Sequence, residues 1–278
     1  MSEILHDVSK PALVTAIEAN LFGLFTMFRH WRQAEVHEDS SMLRSITDVP
    51  FPLFNSILRA QFAPDDVDDA VEAAITPYKS RNMPILWWTG PATMPADLGT
   101  YLEAHGFVYD DDSRGMAVDL ERLKGDSPRP PDLVIEKVAG DNTLRKWCQT
   151  NITGFEWPDF INDDLFNLYS DLGSDENVLL SHYIGWLNGE PVATSSLFLA
   201  AGVAGIYNVI TLPEARRKGI GAAMTRKPLL EARARGYRVG ILQASEMGAS
   251  VYRRLGFQEY CKIGHYVLEH KPASSEAG

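Results

Sequence analysis

Cysteine is almost absent from this chain, and so are the patterns that hold metals. The two cysteines, Cys148 and Cys261, are far apart and form no C-x-x-C pair, so neither a disulfide framework nor a zinc knuckle is indicated. We interpret both as reduced thiols of a cytoplasmic protein. The seven histidines follow no H-E-x-x-H or similar spacing, and we therefore expect no bound metal.

Positive charge and long apolar runs are also scarce. Lys and Arg number 26 against 37 Asp and Glu, a net charge of −11, which argues against a general binder of nucleic acid or anionic membranes because such partners need clustered cations. The start, MSEILHD, is acidic where a signal peptide is basic, and LFGLFTMF is too short to span a bilayer. We expect no nucleic-acid partner and no membrane, so any anionic ligand must be held locally.

The chain of 278 residues is long enough for two domains of roughly 100 to 150 residues each. The stretch KGDSPRPP concentrates proline and charge between two periodic regions, and its three prolines bar both helix and central strand. We predict domains at 1–123 and 132–278, joined by a linker at 124–131. Residues 1–130 hold 20 acidic and 11 basic side chains, so most of the negative charge lies in the first half.

The second half predicts strands alternating with helices. DLVIEKVA has the pattern of a strand, NTLRKWCQTNI and DDLFNLYSDL carry apolar residues at helical spacing, and YIGWLNGEPVATSSLFL is a hairpin around Asn188 and Gly189. Strands follow in GIYNVITL and VGILQAS, with helices in RRKGIGAAMTRKPLLEARARG and ASVYRRL. The predicted order is β-α-α-β-β-β-α-β-α-β, a mixed α/β fold.

The first half repeats part of this order less clearly. ALVTAIEANLFGLF and DDVDDAVEAAITPYKS are predicted helices, and AEVHED, FPLFNSIL and PILWWT are predicted strands. YLEAHGF, at 101–107, resembles YRRLGF, at 252–257, and each leads into a strand-like run. We favour an internal duplication, although chance similarity is open because glycine ends many helices.

The run TLPEARRKGIGAAMT, at 211–225, carries the strongest chemical signal. Successive glycines at the start of a helix let backbone N–H groups converge on an anion at the positive end of the helix dipole. Residues 214–238 contain eight bases and two acids inside an acidic protein. This segment is the local anion site that the overall charge requires, and it suits a pyrophosphate.

Several interpretations compete for this segment. A Walker A loop needs Gly-Lys-Ser/Thr, which does not occur, and a dinucleotide fold needs a third glycine where Met224 stands. A helix start with ordinary surface cations is the plain alternative. The remaining pattern, R-x-x-G-x-G after a strand that ends ITLP, resembles the acetyl-CoA signature of the GNAT acetyltransferase superfamily. The later Ala-x-x-Tyr-x-x-x-Gly-Phe pattern of that family is present in ASVYRRLGF, at 249–257.

The resemblance implies tandem GNAT-like domains, each a mixed, mostly antiparallel sheet flanked by helices, with acetyl-CoA as co-substrate. It implies that backbone N–H groups near the glycines hold the CoA pyrophosphate and that the end of the preceding strand pairs with the pantetheine arm. The implied cofactor-binding residues are Val209, Ile210, Thr211, Arg216, Arg217, Lys218, Gly219, Ile220, Gly221, Ala222, Gly248 and Tyr252.

Tyr252 is the residue that the resemblance assigns to chemistry, as a phenol that protonates the departing CoA thiolate. A core tyrosine with a wet hydroxyl is the alternative. For the general base we name Glu156, whose neighbours Phe155 and Trp157 could raise its pKa by desolvation, although a surface carboxylate is the plainer interpretation. His182 and Asp159 are weaker candidates. Asn208 could orient a water, and the N–H of Val209 or Thr211 could polarise the thioester carbonyl.

The first copy lacks the anion site. Four acids, Asp65, Asp66, Asp68 and Asp69, occupy the place of the glycines and cations, so we expect no CoA there and only a structural role for Tyr101. This copy could frame the acceptor pocket, and its acidity favours a cationic or amine-bearing acceptor. In the second copy, Pro228 lies inside the predicted helix, where we expect a kink or break near Lys227.

The expected function is an acetyl-CoA-dependent N-acetyltransferase that acts on an amine of a small molecule, amino acid or peptide by direct attack in a ternary complex. Two alternatives stay open: a non-catalytic acyl-CoA sensor or interaction module, and an acyltransferase with a different acyl donor. The sequence leaves the oligomeric state open between a monomer and a homodimer.

Overall fold

The computed structural model describes residues 3–123, 128–172 and 179–269. The helices are α1 (Lys10–Thr26), α2 (Val67–Arg81), α3 (Leu98–Ala104), α4 (Gly140–Phe155), α5 (Asn162–Leu172), α6 (Ile220–Ala234) and α7 (Glu246–Leu255). The strands are β1 (Glu35–Glu38), β2 (Leu43–Ile46), β3 (Ser56–Leu58), β4 (Ile85–Thr89), β5 (Val108–Asp119), β6 (Val134–Lys137), β7 (Leu180–Leu187), β8 (Glu190–Ala200), β9 (Val203–Thr211), β10 (Val239–Ala244) and β11 (Gln258–Leu268). From β6 to β11 the order is the one predicted, and the fold is mixed α/β.

The chain forms two compact units that interleave along the sequence. The larger unit contains Met1–Trp31 and Ser113–Lys262, and the smaller unit contains Arg32–Asp112 and Ile263–Gly278. The residues of these units are not those of the predicted domains, 1–123 and 132–278. Residues 124–127 of the predicted linker lie outside the described residues.

The sheet of the larger unit has the strand order β5-β10-β9-β8-β7-β6. Every neighbouring pair is antiparallel except β9 and β10, which are parallel and are joined by α6. The turn between β7 and β8 places Asn188 and Gly189 in the left-handed region, at φ 54° and 83°, as a two-residue hairpin turn requires. Helices α1, α4 and α6 all pack against β8 and β9.

The smaller unit repeats this arrangement in the order β1-β2-β3-β4-β11. Its parallel pair, β3 and β4, is joined by α2, as β9 and β10 are joined by α6. In each half a short helix with a Gly-Phe end follows the parallel pair, but the next strand joins the other half's sheet. β5 pairs with β10, and β11 pairs with β4. The two copies therefore exchange their last strands, which explains why the compact units interleave.

Helix α1 is a buried element of the larger unit. Among the described residues, Lys10–His30 is the single helical stretch that is long and apolar enough to cross a membrane by length and composition, so the expectation that this region is too short was wrong. Its apolar residues Leu13, Ile17 and Leu21 are buried, and Asn20 donates a hydrogen bond of 2.9 Å from Nδ2 to the Ala200 carbonyl. These contacts are those of a core helix.

Helix α6 continues through Pro228 without the predicted break. A proline at this position has no N–H to offer the carbonyl four residues earlier, that of Met224. The buried Ser195 hydroxyl on β8 donates to the Met224 oxygen at 2.9 Å. A side chain of the neighbouring sheet thus supplies the hydrogen bond that the helix cannot make.

We expect Ser195→Ala to lower the free energy of unfolding by about 1 to 3 kcal/mol, because a buried carbonyl loses its donor. Urea denaturation measures this loss. Ser80→Ala is the matched control: the Ser80 hydroxyl donates to the Pro77 carbonyl at 2.9 Å, on the exposed surface of α2. Equal losses in the two variants would show that the Ser195 hydrogen bond has no special role.

Candidate active site

The central feature of the candidate site is an opening between β9 and β10. The two strands pair only where Ala204–Ile206 face Gly240–Leu242. Beyond Ile206, β9 continues to Thr211 with β8 on one side, and no other described strand pairs with its second edge. We call residues 207–211 and this edge the β9 opening.

A β-bulge accompanies the opening. The register between β8 and β9 shifts between Thr194 and Ser196, so that Asn208 and Val209 both lie opposite Ser195. Asn208 takes the left-handed conformation, at φ 52°, which asparagine tolerates better than most residues. Bulges bend a strand and redirect its side chains, and this one lies directly beyond the last residue of β9 that pairs with β10.

The glycine loop lies between the β9 opening and α6. Gly219, the N-cap of α6, has a φ of 79°, and a Cβ there would overlap the Pro128 carbonyl oxygen. Position 219 therefore requires glycine, both for its positive φ and because no Cβ fits there. In the described part of the chain, no acceptor takes the N–H groups of residues 217 to 222. These amides lie at the positive end of a 15-residue helix, the arrangement that binds an anion.

The cations of this loop differ in their contacts. Arg216 donates from Nε to the Thr211 carbonyl at 3.0 Å, and Lys218 donates from Nζ to the Glu214 carbonyl at 3.1 Å. The first bond ties the loop to the end of β9, and the second joins two residues of the segment that follows β9. The exposed Arg217 has a φ of 62°, so two left-handed residues shape the turn that presents the amides.

Tyr252 is buried in the core of the larger unit, on α7. Burial raises the pKa of its phenol to about 12, and a side-chain hydrogen bond between the phenol and Thr225 acts in the opposite direction. The buried Thr225 donates in turn to the Gly221 carbonyl at 2.9 Å, which links the phenol to the first turn of α6. Val209 packs against the same core cluster.

Gly248 lies in the first turn of α7. Its N–H donates to the Ser245 hydroxyl at 3.2 Å, which caps α7. A Cβ at position 248 would lie 3.1 Å from the Tyr252 ring. Gly248 therefore makes room for the phenol, and its amide is already bound within the protein.

A second group of polar side chains lies on the other face of β9, towards α4 and α5. Asn208 donates from Nδ2 to the Ser196 hydroxyl and to the Tyr169 hydroxyl, both at 3.1 Å. Nδ1 of His182 lies 2.8 Å from the Ser196 hydroxyl. We call Asn208, Ser196, His182 and Tyr169 the His182 cluster.

Aromatic rings enclose this cluster. The Trp147 ring lies 4.4 Å from the His182 ring and 5.0 Å from the Tyr169 ring, between centroids. Burial lowers the pKa of His182 to about 3 and raises the pKa of Tyr169 well above its usual value. The cluster is therefore uncharged at neutral pH.

The predicted base candidates have different surroundings. Glu156 is exposed at the end of α4, and Phe155 and Trp157 stack on each other, with centroids 4.6 Å apart. The desolvation that we expected for Glu156 is absent. His182 and Asn208, by contrast, belong to one cluster, together with Tyr169 and Ser196, which sequence reasoning missed. No local pattern marks those two, because they come from separate elements.

The corresponding region of the smaller unit is closed. Beyond β3, Gln61 forms a parallel bridge with Met94, and backbone bonds join Met94 to Ala60 and Phe62 at 2.9 Å each. The chain itself therefore fills the space that corresponds to the β9 opening. The following helix begins beside Asp65, Asp66, Asp68 and Asp69, whose charges repel phosphate.

No group of three His, Cys, Asp or Glu residues suited to a metal occurs in residues 3–123, 128–172 and 179–269. Burial raises the pKa of both Cys148 and Cys261 to about 12. Both thiols therefore stay protonated at neutral pH and are poor nucleophiles.

Comparison with known proteins finds one family that matches part of the chain. Residues 200–260, which include β9, the glycine loop, α6, β10 and α7, match the family model described as the acetyltransferase (GNAT) domain. This segment is therefore similar to the GNAT acetyltransferases. A search of curated protein sequences gave no match.

Solved structures with this fold span almost the whole chain. A GCN5-related N-acetyltransferase from Kribbella flavida has a TM-score of 0.69 at 19% identity, over 93% of this chain and 98% of its own. One from Sphaerobacter thermophilus has a TM-score of 0.64 at 16% identity, over 98% and 96%. A tandem GNAT protein from the clavulanic acid biosynthesis pathway has a TM-score of 0.60 at 11% identity, over 98% of both chains. These similarities establish the fold.

The lowered pKa of His182 predicts how stability changes with pH. The unfolded chain takes up this proton near pH 6.5 and the folded chain only near pH 3, so stability is full above 6.5 and is lost as the pH falls towards 3. We expect His182→Gln to flatten the pH dependence of the unfolding free energy in this window by up to about 1.4 kcal/mol per pH unit. Urea titrations at several pH values measure it. A slope in His182→Gln equal to that of the wild type would contradict the burial of a neutral His182.

Proposed function

We propose that the protein is an acetyl-CoA-dependent N-acetyltransferase whose active site lies at the β9 opening of the larger unit. The observation that carries this proposal is the combination of an unpaired strand edge with a row of unpaired loop amides directly after it. An amide-bearing arm can add to the edge as a strand does, and a pyrophosphate can occupy the loop. The smaller unit, whose opening is filled, has a structural role in this proposal.

In this proposal the donor binds on one face of β9 and the acceptor on the other. Val209 packs against the core cluster that includes Tyr252, and the Thr211 hydroxyl lies towards Gly221, so we assign this face to the donor. Asn208 points into the His182 cluster on the opposite face. The acyl carbonyl then lies at the bulge, where an N–H of β9 polarises it, and the acceptor amine approaches from the cluster side.

The reaction proceeds by direct attack. The amine nitrogen forms a bond to the acyl carbon and releases one proton to solvent, and the carbon–sulfur bond breaks. The Tyr252 phenol gives its proton to the departing thiolate and regains one from solvent. A phenol with a pKa of about 12 is fully protonated at neutral pH, as a proton donor must be. A covalent relay through cysteine is disfavoured because the raised pKa of both thiols keeps them protonated at neutral pH.

The side chains of the His182 cluster can orient an acceptor amine and accept hydrogen bonds from it. It carries no charge, so it favours an acceptor amine that has already lost its proton, held by the cluster or by a water between them. The lowered pKa of His182 makes it a weak base. We therefore assign it the role of positioning the amine rather than that of a general base. Aromatic walls favour an apolar or aromatic group beside the amine.

Release of free CoA from acetyl-CoA with a panel of amines tests the proposal, because a non-catalytic acyl-CoA sensor binds without turnover. Turnover that requires another acyl-CoA would instead support an acyltransferase with a different donor. Acetylated product identified by mass spectrometry establishes N-acetylation.

Gly221→Asp should abolish acetyl-CoA binding, because it places a carboxylate beside the loop amides. The backbone has room for a side chain there: a Cβ would meet only the Thr211 hydroxyl, at 3.5 Å. Gly221→Asn, of the same size but uncharged, should retain most of the affinity. Calorimetric titration distinguishes the two, and unchanged binding by the Asp variant would rule out this loop as the pyrophosphate site.

Tyr252→Phe should lower kcat by roughly 100-fold, as expected for loss of a general acid, and leave the Kd for acetyl-CoA within about twofold. Tyr237→Phe, in the same core cluster, is the control and should change neither quantity. Steady-state CoA release and calorimetry provide the two measurements. A large loss of affinity with unchanged kcat would mean that the phenol binds the donor without acting in the chemistry.

A further inference from the structure

The β9 opening has a closed end, where β9 and β10 are paired. Ile206 faces Leu242 in the last pair before the opening, and Tyr207 and Gln243 are the first residues beyond it, one on each strand. β10 stays paired with β5 through Ala244, so it remains in the sheet where it borders the opening. The glycine loop follows the other end of the opening. A ligand arm that runs along β9 from the loop is therefore aimed at the closed end.

Tyr207 and Gln243 lie on the same face of the sheet, towards α1. The Tyr207 hydroxyl donates to Oδ1 of Asn20, on α1, at 2.7 Å. Gly115 of β5 pairs opposite Gln243, and a Cβ at this glycine would lie 3.1 Å from Ile17 of α1. Directly opposite residues of an antiparallel pair share a face, so Gln243 also faces α1.

The Tyr207 ring is fixed by its neighbours. Asn20 is fully buried and donates from Nδ2 to the Ala200 carbonyl at 2.9 Å, which fixes the partner of the Tyr207 hydroxyl. A Cβ at Gly205 would lie 2.7 Å from the Tyr207 ring, so the ring covers the paired part of β9. Burial raises the pKa of Tyr207 well above its usual value, and the neighbouring Gln243 side chain acts in the opposite direction. We call the side chains of Tyr207 and Gln243 the Tyr207 wall.

The opposite face of the closed end is filled by the protein core. Ile206, Leu242 and Ala244 are buried in the core cluster that also contains Tyr252. A group that reaches the closed end therefore meets paired strands ahead of it, the core on one side and the Tyr207 wall on the other.

The length of this space follows from strand geometry. In the proposed function the acyl carbonyl lies at the bulge, at Asn208, two residues from Ile206. Two residues of a strand span about 7 Å, and a carbon atom stays about 4 Å from the atoms that it contacts. About 3 Å remain, which corresponds to two bonds of an extended chain at about 1.2 Å per bond.

We propose that the Tyr207 wall limits the acyl group of the donor to about three carbon atoms, so that acetyl-CoA and propionyl-CoA fit and butyryl-CoA does not. This inference rests on the proposed function and adds the class of donor that the site selects. A fourth carbon would meet Gln243, because Tyr207 is tied to α1 and the paired strands cannot separate without losing backbone hydrogen bonds. Gln243 is therefore the residue that sets the limit.

Calorimetric titration of the full chain with acetyl-CoA, propionyl-CoA and butyryl-CoA tests the wall without any acceptor. In the wild type, butyryl-CoA should bind about tenfold more weakly than propionyl-CoA, the usual effect of one methylene that a pocket rejects. Gln243→Ala removes most of the side chain beside Tyr207 and should abolish most of this difference. Gln243→Ser also shortens the side chain and gives the same test if the alanine variant does not fold.

Two controls separate the size of the Gln243 side chain from its polarity and from the substitution itself. Gln243→Met keeps an unbranched side chain of similar length without the amide, and it should keep the wild-type difference between the two donors. Gln258→Ala makes the same change at an exposed position of β11, and it should also keep that difference. Circular dichroism establishes that each variant is folded.

Two results would overturn the proposal: butyryl-CoA that binds the wild type as tightly as propionyl-CoA, or a difference that persists undiminished in the folded Gln243→Ala or Gln243→Ser variant. Failure of the proposed function looks different, because CoA and all three acyl-CoAs would then fail to bind at millimolar concentration.

Discussion

The separation of β9 from β10 after three paired residues is the constraint on which the rest of the site depends. A parallel pair that stayed closed would leave no strand edge for an amide-bearing arm, and the glycine loop would have nothing to align with. The bulge at Asn208 lies directly beyond the last paired residue, where two residues of β9 share one position opposite β8. Because bulges bend a strand, this local irregularity is consistent with the opening.

The same strand also organises the two sides of the site. Because successive side chains of a strand point to opposite faces, Val209 belongs to the core around Tyr252, whereas Asn208 belongs to the His182 cluster. The proposed donor and acceptor groups therefore meet at adjacent residues without any long loop to bring them together. Rigid elements hold both sets, which is the arrangement that precise positioning requires.

The smaller unit has the same order of strands and helices but lacks the strand opening and the glycine loop. Its parallel pair is extended by the bridge between Gln61 and Met94, and its helix α2 begins among aspartates. Both changes work against an anionic, strand-like ligand. The exchange of β5 and β11 nevertheless makes each unit depend on a strand that the other half of the sequence supplies, which gives the smaller unit a structural reason to persist.

The sequence by itself determined the element order of the second half, the glycine loop and the acidic replacement in the first half, because turn residues, apolar periodicity and charge act locally. Tertiary structure alone decided the strand exchange, the hydrogen bond from Ser195 to Met224, the His182 cluster and the exposure of Glu156. In the first three the partners come from separate elements, and the exposure of Glu156 depends on which elements cover the end of α4. Periodicity identifies which face of an element is buried, but only packing decides which other element covers that face.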